Sequence, residues 1–167
     1  MNDRLVILEI TRIEAAHLAA LVTQFLELLE TSDDSHPGRD PAIARLVPDA
    51  YRDDPEAAQE FRDVTQADMI ARRIDDAGLL LSTLGAVEPL PGDAALDDPR
   101  YAEVMTVTID SDESRAWMRT LAAVRLVLAE RLGIQVEDDR ADDDPRFGIY
   151  DWLGYRLDGL VHAISDD

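Results

Sequence analysis

The hydrophobic pattern of the first thirty residues predicts a strand followed by a helix. Residues 5–10 are rich in β-branched and aliphatic side chains, which favour extended structure. Thr11 and Glu14 have the types and spacing of a capping box, in which each side chain accepts a hydrogen bond from the other residue's backbone amide. The apolar positions that follow recur with the 3.6-residue period of one helical face, so we expect a helix to about Glu30. They are Ile13, Leu18, Leu21, Val22, Phe25, Leu28 and Leu29.

Prolines divide the middle of the chain, where the pattern predicts a short helical turn and a longer helical region. The turn begins at Pro41, and the longer region begins at Pro55, because proline fits the first turn of a helix and Asp54 can cap it. A second capping pair, starting at Thr65, predicts a break in this region. The helix then resumes and ends at Gly85.

The second half of the chain repeats the order of strand, cap and helix. Residues 105–109 alternate between apolar and polar side chains, as a half-buried strand does. We expect Ser111 to cap a helix that ends at Gly133, and a last helix to cover about residues 149–164. The predicted fold is therefore mainly α, a bundle of about five helices with a small two-stranded β ribbon formed by residues 5–10 and 105–109.

The length of the chain favours a single domain. The 167 residues fall within the usual range for one hydrophobic core, so residues 1–167 are expected to form one unit. Two acidic loops are predicted, near residues 86–104 and 134–146. No apolar run has the length of a signal sequence or a membrane span, which predicts a cytoplasmic protein that makes no contact with a membrane.

Charge and residue inventory exclude several classes of function. The formal charge is −20, from 36 acidic and 16 basic residues, so the chain should repel nucleic acid, and we expect no direct contact with it. Every basic residue is arginine, which excludes the lysine of phosphate-binding loops, of kinases and of Schiff-base enzymes. Cysteine is absent too, which excludes disulfides, thiolate ligands and thiol redox chemistry in this chain.

Metal-binding and catalytic patterns fail on spacing. The three histidines, His17, His36 and His162, lie too far apart along the chain for a ligand motif, and the acidic run 137–144 lacks the glycine and the closing glutamate of a calcium loop. His17 lies one helical turn after Glu14, which is typical of a half-exposed helical pair. We therefore predict no catalytic residue, no metal and no cofactor, and the class of protein we expect is not an enzyme. A metal-dependent hydrolase built from Asp and Glu clusters stays open as an alternative.

One ion pair is predicted to hold two helices together. Arg125 lies beside the apolar seam that contains Trp117, where a buried guanidinium would need a carboxylate. Asp151, in the last helix, is the expected partner. The alternative is that Arg125 binds a partner protein.

Three stretches of the chain resemble a known family. They are the run from Arg45 to Ala58 with Glu60-Phe61-Arg62, the positions Ala116-Trp117, Val124-Arg125-Leu126 and Arg131-Leu132-Gly133, and the run Tyr150-Asp151-Trp152-Leu153 with Leu160-Val161. Here the chain resembles an actinobacterial family catalogued as a domain of unknown function, number two thousand and seventeen. That resemblance implies a cytosolic protein often encoded beside the ClpS protease adaptor. It also implies a transcriptional regulator of the oxidative stress response that cooperates with a sigma factor. Ala122 and Ala123 replace the Asn-Asp that is usual in the family.

The expected function is regulation through protein contact. We predict a partner with a basic surface, a sigma factor or RNA polymerase, because the charge of −20 suits such a surface. A role as a protein associated with a protease adaptor is the alternative, and a homodimer is left open. Tyr51 and Arg52 have the residue types of binding hot spots, although Tyr51 could instead fill the core and Arg52 could cap a helix. The predicted partner-binding residues are Pro48, Asp49, Tyr51, Arg52, Asp53 and Asp54.

Overall fold

The computed structural model describes residues 4–32, 40–47, 53–87, 97–134 and 147–165. Within these ranges the chain forms two strands, five α-helices and one 3-10 helix, so the fold is mainly α with a small β ribbon, as predicted. In chain order they are β1 (Val6–Thr11), α1 (Arg12–Glu30), α2 (Pro41–Leu46), α3 (Pro55–Leu84), the 3-10 helix (Pro99–Ala102), β2 (Val104–Ile109), α4 (Ser111–Leu132) and α5 (Gly148–Ser165).

The two strands pair with each other in an antiparallel ribbon, which confirms the predicted pairing of residues 5–10 with 105–109. Val6 lies opposite Ile109, and Thr11 lies opposite Val104. Side chains alternate between the two faces of a strand, and the inner face is apolar and turned toward the helices. The inner side chains are Val6, Leu8 and Ile10 of β1 and Met105, Val107 and Ile109 of β2.

Several helix ends follow the local signals in the sequence. Thr11 and Glu14 form the predicted capping box at the start of α1. Pro55 begins α3 after the Asp54 cap, and α4 ends at Gly133, whose φ of 72° is the left-handed conformation that favours glycine.

Two predicted helix boundaries are wrong. The break near Thr65 does not occur, because α3 runs without interruption from Pro55 to Leu84 and the Thr65 hydroxyl donates to the carbonyl oxygen of Phe61 within the helix. Ser111 does not cap α4. Asp110 does so, and it forms a capping box with Glu113. The predicted loop 86–104 is wrong in part, because it contains the 3-10 helix and the first residue of β2.

The helices bury one large apolar cluster beneath the inner face of the ribbon. Buried residues of both strands and all five α-helices belong to it, including Leu18, Ile43, Leu80, Leu121 and Leu153. A smaller cluster around Phe147 and Tyr150 lies between the end of α4 and the start of α5. Across the described ranges, no helix combines the length and the apolar character needed to cross a membrane.

Candidate partner-binding surface

The predicted partner-binding segment lies where α2 ends and α3 begins. Its first four residues, Pro48, Asp49, Tyr51 and Arg52, fall outside the described residues, so their role stays a prediction. Asp53 and Asp54 are described, and both are exposed at the start of α3. The structure therefore positions one end of the predicted site.

Both flanks of this segment are attached to α3. The Asp54 carboxylate accepts hydrogen bonds from the backbone amides of Glu56, at 3.2 Å, and Ala57, at 3.1 Å. On the other flank, the Arg73 guanidinium donates to the carbonyl oxygen of Leu46 at 3.1 Å, at the end of α2. Burial lowers the pKa of Arg73, and the charge of Asp76 opposes that shift. The Asp54 bonds cap the first turn of α3, and the Arg73 bond holds the end of α2 against α3.

Four exposed carboxylates surround the first turns of α3. Glu56 and Glu60 lie four residues apart, so they share one face of the helix next to Asp53 and Asp54. Phe61 follows them, and 39% of its surface is exposed. We call these five residues the acidic corner. They combine negative charge with a large apolar side chain, and their charge is complementary to that of a basic surface.

An open groove of about 720 Å³ lies between α3 and α4. On its rim Arg119 and Asp76 form a bidentate ion pair, with two N···O distances of 2.7 Å. The hydrogen bonds that Arg119 donates to Asp76 raise the pKa of the Arg119 guanidinium. Arginines outnumber aspartates here, so the groove suits a basic partner less well than the acidic corner does. Its lining residues are Met69, Arg72, Arg73, Asp75, Asp76, Arg119, Ala122, Ala123 and Leu126.

Arg125 makes an aromatic contact between α4 and α5. Its Cζ lies 4.1 Å from the centre of the Tyr150 ring, which is the geometry of a cation–π interaction. A Cβ at position 154 would lie 3.1 Å from the same atom, so Gly154 leaves the space that the guanidinium occupies. The predicted pair with Asp151 stays a prediction. The packing on Tyr150 and Gly154 links α4 to α5 whether or not that pair forms.

Glu14 has a second function that the sequence pattern did not indicate. Besides capping α1, its carboxylate accepts a hydrogen bond from the Trp152 indole at 2.9 Å and two from the Arg156 guanidinium at 3.2 and 3.1 Å. Burial acts to raise the pKa of Glu14, but the bonds from Thr11 and Trp152 and the charge of Arg156 outweigh it, so the pKa lies below its ordinary value. Glu14 therefore stays ionised and fixes α5 against the start of α1.

The hydrogen bonds of Glu14 are also relevant to the alternative of a metal-dependent hydrolase. A carboxylate already bound to Thr11, Trp152 and Arg156 has little capacity left for a cation beside His17. No group of three or more His, Asp or Glu side chains within the described ranges could hold a metal ion.

The fold and this surface define a mainly α-helical protein with a β ribbon and a candidate surface for protein contact. The model of a family described as a domain of unknown function (DUF2017) matches residues 1–164, and the chain belongs to that family. No curated protein and no solved structure matches the chain. The family match agrees with the resemblance found in the sequence.

Proposed function

We propose that this chain is a non-enzymatic regulatory protein that binds a basic surface of another protein through its acidic corner. The observation that carries the proposal is the exposure of four carboxylates and Phe61 together on the first turns of α3. This corner continues directly from the segment 48–52, where Tyr51 and Arg52 have the residue types of hot spots.

The physical basis is electrostatic attraction combined with apolar contact. Exposed carboxylates raise the rate of encounter with a positive surface and set the orientation of the complex, although each one adds little affinity. Phe61 would supply the contact that excludes water. Binding of this kind weakens as salt concentration rises, because the charges at its rim are screened.

The partner we propose to test first is a sigma factor or RNA polymerase, as the family resemblance implies. In that role the protein would act on transcription in the oxidative stress response without binding DNA, because a charge of −20 opposes contact with DNA phosphates. It has no cysteine, so the partner would have to sense the oxidant. The alternative role, attachment to a protease adaptor, uses the same kind of surface with a different partner.

The test compares two double variants of equal charge change. Glu56→Gln with Glu60→Gln neutralises the acidic corner, and Glu27→Gln with Glu30→Gln neutralises two exposed glutamates of α1. We expect the first to weaken binding to purified sigma factors or RNA polymerase about tenfold at low salt, which is about 1.4 kcal/mol. The second should change affinity less than about twofold. Equal effects would mean that only net charge matters and would contradict the proposed corner.

Two further variants separate the apolar contact from the charge. We expect Phe61→Ala to weaken the complex at high and low salt alike, because it removes apolar surface. Tyr51→Ala should do the same if the segment before α3 takes part in binding. Binding to protease components alone, under reducing and oxidising conditions, would contradict the transcriptional role and support the adaptor role.

A further inference from the structure

The pairing of the ribbon determines which backbone groups point away from it. The Arg12 amide donates to the carbonyl oxygen of Glu103 at 2.9 Å, so these two residues form a hydrogen-bonded pair at the end of the ladder. Such pairs alternate along antiparallel strands. Ile10–Met105, Leu8–Val107 and Val6–Ile109 are therefore also bonded pairs. The amides and carbonyls of the residues between them face the two outer edges.

The outer edge of β1 is occupied at two points. The outward amide of Thr11 donates to Glu14 at 2.8 Å, and the outward carbonyl oxygen of Glu9 accepts from Arg156 at 2.9 Å. The charged side chain of Glu9 adds to this protection. The edge of β1 is therefore protected against pairing with another strand.

The outer edge of β2 has no such protection among the described residues. Within those ranges, no hydrogen bond engages the outward backbone groups of Val104, Thr106 or Thr108. All three side chains are exposed, Val104 by 63%. The strand contains no charged residue and no proline, the two features with which proteins usually block an edge. An edge of this kind is a template for a further strand.

We propose that the β2 edge binds an extended segment of a partner protein by strand addition, which makes the ribbon a three-stranded sheet. The segment would supply β-branched side chains beside those of Val104, Thr106 and Thr108, which are exposed on the outer face of β2. It would carry Lys or Arg near its ends, because carboxylates outnumber arginines beside the strand. Before it, Glu103 is ion-paired with Arg12. After it, Asp112 is ion-paired with Arg115, and Asp110 and Glu113 accept hydrogen bonds from backbone amides in the α4 capping box, so three carboxylates lie beside one arginine. The surface differs from the acidic corner, so the inference does not rest on the proposed function.

A second copy of the chain fits this edge less well. Antiparallel pairing of β2 with itself would bring Glu103 of one copy toward Asp110 and Asp112 of the other, and each copy carries a charge of −20. Arg12 is ion-paired with Glu103, so what opposes that dimer is the charge of −20 on each copy, together with the three carboxylates after the strand. A strand with basic ends meets the same carboxylates favourably.

The test uses a soluble eight-residue peptide of alternating threonine and valine with a lysine at each end. We expect it to slow hydrogen exchange of the outward amides of Thr106 and Thr108 by about tenfold or more, because strand addition satisfies them. The same peptide with glutamate at both ends should give much weaker protection.

Thr106→Pro and Ile7→Pro form a matched pair of variants. Each removes one outward amide and leaves the ladder bonds of the ribbon in place, a position where proline is tolerated. Thr106→Pro should abolish peptide binding, and Ile7→Pro should retain it. Unchanged exchange at Thr106 and Thr108 with saturating peptide would overturn the proposal. Protection that rises with protein concentration alone would overturn it too, in favour of a dimer.

Discussion

The two junctions between a strand and a helix have the same local arrangement, but they differ in their contacts with the rest of the fold. At the first, Thr11 caps α1, and the Glu14 carboxylate accepts a hydrogen bond from the Thr11 amide at 2.8 Å. At the second, Asp110 caps α4, and the Glu113 carboxylate accepts a hydrogen bond from the Asp110 amide, also at 2.8 Å. Both boxes satisfy backbone amides that a helix leaves without a partner at its start.

The difference between the junctions lies in what else the glutamate binds. Glu14 also accepts from Trp152 and Arg156 on α5, at sequence separations of 138 and 142 residues. The described contacts of Glu113 are local, to Asp110. Two capping boxes of the same kind therefore differ in how much they contribute to tertiary structure. Only the contacts between residues distant in sequence show that difference.

Replacing Glu14 or Glu113 by alanine should give the largest difference between the two junctions in the free energy of unfolding. We expect Glu14→Ala to lower the free energy of unfolding by about 3 kcal/mol, because it removes the box and leaves the Trp152 and Arg156 donors partly buried without their acceptor. Glu113→Ala should cost about 1 kcal/mol, as the loss of a capping interaction does. Urea unfolding of both variants measures this. Equal losses would contradict a tertiary role for Glu14.

A double-mutant cycle isolates the energy of the contact between Glu14 and α5. Glu14→Gln and Arg156→Leu should show a coupling of about 1–2 kcal/mol, since the two side chains form a partly buried ion pair. The control cycle pairs Glu113→Gln with Arg156→Leu and should give additive effects. Coupling in the control cycle would indicate a change in structure beyond the direct contact.

Low pH should weaken the contacts that Glu14 makes at the first junction. The pKa of Glu14 lies below its ordinary value, so its stabilisation is fully present above the unfolded pKa of about 4.3 and is lost as pH falls through the folded pKa. The stability difference between wild type and Glu14→Gln should therefore be largest near pH 7 and shrink below about pH 4. The pKa of Asp40 is also lowered, by its bond to Arg131, but Asp40 titrates in both proteins and cancels in the difference.

Replacing the N-cap residues, Thr11 and Asp110, by alanine should give the smallest difference between the two junctions in the free energy of unfolding. Asp110 accepts from the amides of Asp112 and Glu113 at 2.9 and 2.8 Å, whereas Thr11 accepts from the Glu14 amide at 3.3 Å. We expect Asp110→Ala to cost about 1 kcal/mol and Thr11→Ala about half of that. Thermal unfolding at neutral pH resolves the order, and a larger loss for Thr11→Ala would reverse it.

Most of the fold could be predicted because its signals are local. The capping box at Thr11, the proline at position 55 and the glycine at position 133 each act within one helical turn of the boundary that they set. The errors arise where residue types permit two roles. Thr65 can cap a helix or bond within one, and its neighbours extend the helix on both sides. Asp110 and Ser111 are both good caps, and the Glu113 three residues after Asp110 was the signal that decides between them.

The candidate site was less predictable, because a surface depends on what remains exposed after packing. Glu56, Glu60 and Phe61 were part of the resemblance to the family but were not predicted to bind a partner. Their signal was the acidic run beside the predicted segment, and their exposure follows only from the orientation of α3. The bonds of Glu14 to Trp152 and Arg156 have no local signal, because they form between residues distant in sequence.

The footprint of a bound partner on this chain would show directly whether the acidic corner is the binding surface. Amide hydrogen exchange would be measured for the free protein and for its complex with a purified sigma factor or RNA polymerase. We expect slower exchange in residues 53–61, with the protection reduced in Glu56→Gln/Glu60→Gln and retained in Glu27→Gln/Glu30→Gln. Protection confined to the groove between α3 and α4, with residues 53–61 unchanged, would contradict the claim that the acidic corner is the binding surface.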